Sequence, residues 1–113
     1  MDQTTIARFR DQLQRRAEAL RAESAISAEG RSVVELDQAS VGRLSRMDAM
    51  QVQAMALANE QRRQAELQRI AAALDRIERG TFGDCIACGE EIETRRLEID
   101  PTIQRCIACA RQG

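Results

Sequence analysis

The chain contains no histidine, tryptophan, tyrosine or lysine, and its 113 residues include only two phenylalanines and one proline. Each absence removes a class of protein. Without imidazole the commonest general base is missing, and no other nucleophile and base close into a set, so an enzyme is not expected. With so few large rings, a sandwich or barrel core has nothing to be built from, and the abundance of alanine and glutamine reads as helical. No apolar run is longer than that of "AMALA", too short to cross a bilayer. The opening "MDQTTIARFRDQLQRR" has no apolar core of signal-peptide length, so a cytoplasmic location without membrane association is expected. Seventeen basic residues, all arginine, stand against eighteen acidic ones for a net charge of −1. That balance gives no general attraction to a phosphate backbone.

What the chain does have is helical period. Ile6, Phe9, Leu13, Ala17, Leu20 and Ser24 recur at steps of three and four, which predicts a helix over residues 4–28. Gly30 supplies a break, and Ser32 three residues before Glu35 fits a capping box, so a second helix is expected to begin near Val33. From there no proline intervenes before Pro101. Leu44, Met47, Met50, Ala54 and Leu57 form one apolar stripe, and Leu67, Ile70, Leu74 and Ile77 form another. The stretch joining them, "ANEQRRQAEL", has almost no large apolar side chain within it. Its offset is no multiple of a heptad, so either the seam changes phase there or the stretch is exposed. Arg76 and Arg79 followed by Gly80 mark a helix C-terminus. The second helix would then hold about 47 residues and run roughly 70 Å.

Neither stripe can stay in water. The expected fold is mainly α: an antiparallel helical hairpin over residues 1–80 with its tip near 28–42, followed by a small four-cysteine module over 81–113. Gly42 marks the far limit of that tip. A monomer is expected, with one arm of a dimeric coiled coil as the alternative.

All four cysteines lie in "CIACGEEIETRRLEIDPTIQRCIACA". Cys85 and Cys88 form one C-x2-C pair, Cys106 and Cys109 the other, with seventeen residues between. Each pair can offer two thiolates from a tight turn, and the spacer can bring the second pair round to complete a tetrahedron at about 2.3 Å per sulfur. Four thiolates leave no vacant position, so one structural zinc is expected. Paired disulfides, a redox C-x2-C and an iron–sulfur cluster are the competing readings. Only Phe82, Ile86, Ile92, Leu97, Ile99, Ile103 and Ile107 offer a core, so the segment needs its metal to fold. Arg95, Arg96 and Arg105 either offset the charge of the tetrathiolate site or are ordinary solvated arginines. Residues 81–113 hold four arginines against six acids, the wrong sign for direct DNA binding.

The segment "GTFGDCIACGEEIETRRLEIDPTIQRCIACA" resembles the C-terminal zinc finger of the DksA/TraR family: "FG" before the first cysteine, then "RRLE", "PT" and "CI-x-C" in register. A helical hairpin before the finger is the family's architecture as well. The resemblance implies a bacterial transcription regulator that binds RNA polymerase, its coiled coil entering the secondary channel with an acidic tip near the active site. The family's tip motif is D-x-x-D-x-A at the start of the second helix. The best match is "VELDQA", which places Asp37 and Ala39 on the second acidic and alanine positions, Val34 on the first, and Glu35 beside it as a stand-in. "RMDAM", with Asp48 and Ala49, is a weaker competitor. Guanosine tetraphosphate is the further ligand the resemblance implies, with Arg62 and Arg69 as its contacts; a solvated charged face is the alternative for both. A zinc-stabilised interaction module without effect on initiation is the alternative function.

Overall fold

The computed structural model describes residues 1–37 and 43–112. Among the described residues four helices follow one another: α1 (Gln3–Asp37), α2 (Arg43–Arg79), α3 (Thr94–Ile99) and α4 (Ile107–Gln112). The described residues contain no strand, only one isolated antiparallel bridge between Asp84 and Glu91. The architecture is a long helical hairpin followed by a small four-cysteine module. The hairpin begins on a cap that the pattern does not announce, since Asp2 Oδ1 accepts the Thr5 amide at 2.8 Å and satisfies one of the orphan donors of the first turn.

Two expectations about the helices are corrected. Helix α1 does not end at residue 28 but continues through Gly30 and Ser32 to Asp37, so the capping box at Ser32 and Glu35 does not form a helix start. One glycine costs about 1 kcal/mol in a helix, too little to stop propagation once many turns are in place. Helix α2 accordingly starts at Arg43, directly after Gly42, and holds 37 residues. Its other end is as expected. Gly80 takes φ +78°, and the Thr81 and Gly80 amides donate to the Arg76 and Ile77 carbonyls at 2.9 and 3.2 Å, the paired bonds of a Schellman stop.

The chain divides into two compact units that cut across the 1–80 and 81–113 division, one of Met1–Ala17 with Gln68–Gly113 and one of Glu18–Leu67. In the first, Phe9, Leu13 and Ala17 of α1, Ile70, Ala73 and Ile77 of α2, and Phe82, Ile92 and Leu97 of the module are buried. The Phe9 and Phe82 rings lie 5.5 Å apart at 52°, a tilted pair of the kind that adds to area burial. Exposed ion pairs accompany this packing, Arg8 to Glu98 at 3.8 Å and Arg10 to Glu78 at 3.6 Å. The module thus builds its core jointly with the base of the hairpin. Ile86, Ile99 and Ile107, read as core candidates, are exposed instead.

In the second unit the apolar stripe expected to form the seam is turned outward. Met47, Met50 and Leu57 are each more than half exposed, and Ala54 is exposed too; the Leu44 side chain lies outside the described residues. Besides Ala58 and Glu66, the partly buried positions of α2 here are Ala49, Gln53, Ala56, Glu60, Arg63 and Leu67. Their steps of four and three carry one uninterrupted heptad seam through the polar stretch. On α1, Leu20 is buried and Ser24 and Ser27 are half-buried, as the period of the first helix predicts for Leu20 and Ser24.

Candidate metal centre

The first cysteine pair sits on a tight knuckle between Phe82 and Ile92. The Ile92 amide donates to Gly83 O and the Cys85 amide to Glu90 O, both at 2.8 Å, and the Gly89 amide closes the turn on Cys85 O at 2.9 Å. Gly89 takes φ +79°, a conformation that glycine adopts at no steric cost and that brings the backbone round behind the two sulfurs. The second pair opens α4, with the Ala110 amide bonded to Cys106 O at 2.9 Å.

The Ile86 amide ties the two pairs together by donating to Gln104 O at 2.9 Å, and Arg96 Nη1 ties α3 to the second pair by donating to Arg105 O at 2.9 Å. The intervening "DPT" is locked by Asp100, whose Oδ1 accepts from the Thr102 amide at 3.0 Å and its hydroxyl at 2.6 Å. Of the three arginines considered for charge compensation, Arg96 is thus a backbone brace.

The fold brings the sulfurs of Cys85, Cys88, Cys106 and Cys109 to within 4.8 Å of one another. A tetrahedral ion with bonds of about 2.3 Å spaces its sulfurs roughly 3.8 Å apart; Cys88 and Cys106 Sγ are 3.6 Å apart. The thiols are free, and their acidities are split. The Cys106 amide, helped by further backbone donors, holds Cys85 down to about 6. The Cys106, Cys88 and Cys85 sulfurs push Cys109 up to about 12. Cys85 ionises readily while the neighbouring sulfurs oppose ionisation of Cys109, a conflict that a bound dication removes by letting all four ionise. The residues fit one structural zinc. No position is left for a substrate water, so the ion would hold the fold together and carry no chemistry of its own.

The other candidate residues do not gather at this centre. Glu35 and Asp37 fall at the C-terminal end of α1, not at the start of the second helix, and Ala39 lies outside the described residues. Asp48 and Ala49 lie inside α2, Ala49 on its half-buried face. Arg62 is exposed on α2, its guanidinium bonded to Asn59. Arg69 borders an open cavity of about 500 Å³ shared with Arg96, Asp100, Thr102, Gln104 and Arg105. The pattern missed Arg96 and Arg105 as neighbours of Arg69, because only the folding of the module onto the hairpin base brings them together.

A hairpin whose base shares its core with a compact four-thiolate module defines a helical zinc-finger protein. Residues 80–112 match the family described as prokaryotic dksA/traR C4-type zinc finger. Over 53 residues the chain is 43% identical to the RNA polymerase-binding transcription factor DksA of Haemophilus influenzae and 42% identical to its Escherichia coli namesake. These matches cover 47% of this chain but only 37% and 35% of the two relatives. The structure of the transcription factor DksA2 from Pseudomonas aeruginosa is similar over 99% of this chain and 84% of that one, with a TM-score of 0.87 and 28% identity.

Proposed function

We propose that the chain is a bacterial transcription regulator that binds RNA polymerase and modulates initiation. The likeness of fold to DksA2 over nearly the whole chain carries this reading, supported by the relatives whose name states polymerase binding. The hairpin enters the secondary channel as a monomer in the cytoplasm, the zinc finger over 81–113 fixes its base, and Asp37, with Ala39 and Glu35, approaches the active site. A carboxylate there alters the field around a magnesium-bound nucleic acid, and a small neighbour permits close approach. Guanosine tetraphosphate fits the reading through Arg69, which borders a cavity with Arg96 and Arg105; Arg62 would contribute a further cation.

The position of Asp37 sharpens the test. At a helix C-terminus a carboxylate opposes the macrodipole, so Asp37→Asn is not expected to lower the melting temperature. That variant should still bind polymerase but should lose the wild-type effect on open-complex lifetime at a sensitive promoter. Full activity of Asp37→Asn would remove the tip assignment. Binding without any effect of the wild type on lifetime would favour the interaction module, the reading that Val34 at the first acidic tip position also favours.

A further inference from the structure

In the unit Glu18–Leu67, α2 presents its residues against the usual rule. Its seam is small and polar, with Ala49, Gln53, Ala56, Glu60 and Arg63 partly buried. One position further on, Met50 and Leu57 are 61% and 55% exposed, with Met47 beside them at 58%; one position back, Val52 and Met55 are 55% and 67% exposed. Apolar burial alone favours turning α2 by about 100°, the angle of one residue. That turn would set Met50, Ala54 and Leu57 against α1, which is the seam the sequence pattern selects.

A polar layer opposes the turn. The Ser24 hydroxyl of α1 donates to Glu60 Oε1 at 2.8 Å. Arg63 donates through Nη2 to Glu60 Oε2 at 2.8 Å and through Nε to both Glu60 Oε2 and Ser24 Oγ at 3.3 Å. Gln64 Nε2 adds a bond to Glu60 Oε1 at 2.9 Å. The Arg63 and Glu60 side chains are only 15% and 17% exposed, so the layer is largely withdrawn from water. Rotation keeps the Glu60–Arg63 pair, which lies within one helix, but severs both bonds to Ser24 and brings Gln61 and Gln64 toward α1 in its place.

We propose that the Ser24–Glu60–Arg63 layer selects the seam of this part of the hairpin, holding Met50, Ala54 and Leu57 in solvent against an apolar competitor one residue away. Polar residues at seam positions specify alignment in coiled coils at a cost in stability, and here the competing alignment is written in the same helix. The inference is independent of the proposed function.

Methionine oxidation of the zinc-loaded full chain, read residue by residue by mass spectrometry, tests it with Met55 as internal reference. In the wild type Met50 and Met55 should oxidise at comparable rates. Glu60→Ala/Arg63→Ala removes the layer without supplying an apolar seam, so Met50 should become several-fold slower than Met55. Ser24→Ala, which leaves α2 intact, should shift the ratio in the same direction. Glu60→Leu/Arg63→Leu rebuilds the original seam from apolar side chains and should restore the wild-type ratio. An unchanged ratio in both alanine variants would overturn the proposal.

Discussion

Gly83 shows how much a single position in the finger depends on its surroundings. Its φ is +92°, and a Cβ there would meet the Met1 Cε, with Leu97 Cδ1 3.9 Å away. Gly89 has a similar φ of +79° but open space around it. An alanine at either site pays the left-handed backbone cost of about 1–2 kcal/mol, and only Gly83→Ala must also displace the Met1 side chain. Thermal unfolding of the zinc-loaded protein should therefore rank wild type above Gly89→Ala, and Gly89→Ala above Gly83→Ala; equal losses would show that the Met1 contact carries nothing. Gly80 was legible as a helix stop because cations and a glycine at a helix end are local signals. The conflict at Gly83 was not, because Met1 lies 82 positions away in the chain.

Among the elements, α2 departs furthest from its own hydrophobic pattern. The stripe ending at Ile77 could be read, since Ile70 and Ile77 are large, apolar and buried. The stripe through Met47, Met50 and Leu57 was misread because apolar spacing cannot report that Glu60 and Arg63 find a partner on α1. That partnership has a pH signature. Bonds from Gln64, Arg63 and Ser24 hold the Glu60 carboxyl down to about 2, from an ordinary 4.5. A depressed carboxylate stabilises the fold in full above its unfolded value and loses that contribution as pH falls through the folded one. Wild type should exceed Glu60→Gln in urea midpoint at neutral pH, and the gap should close between about pH 4.5 and 2. A gap independent of pH across that window would mean that the Glu60 charge is not what the layer uses.

For the whole molecule, the cysteine spacing alone made the metal centre legible, because two tight turns and a spacer suffice to assemble four thiolates. The sharing of one core by the finger and the hairpin base was not legible, since Phe9 and Phe82 are far apart in sequence. That sharing sets what metal removal does. Cys106→Ser should lose the stoichiometric zinc and unfold the finger. It should also raise amide exchange around Phe9, Leu13 and Ile77, while most far-ultraviolet helicity persists because α1 and α2 hold 35 and 37 residues. Protection of those base amides at the wild-type level would show that the hairpin base stands without the finger.

The central claim is that this hairpin and finger together form a ligand for RNA polymerase. Its most direct test is capture of purified bacterial core polymerase by the zinc-loaded chain at micromolar concentration, measured with and without prior chelation. The account predicts saturable one-to-one binding that weakens when zinc is removed, because the finger shares its core with the hairpin base. No binding by the zinc-loaded chain at these concentrations would contradict it.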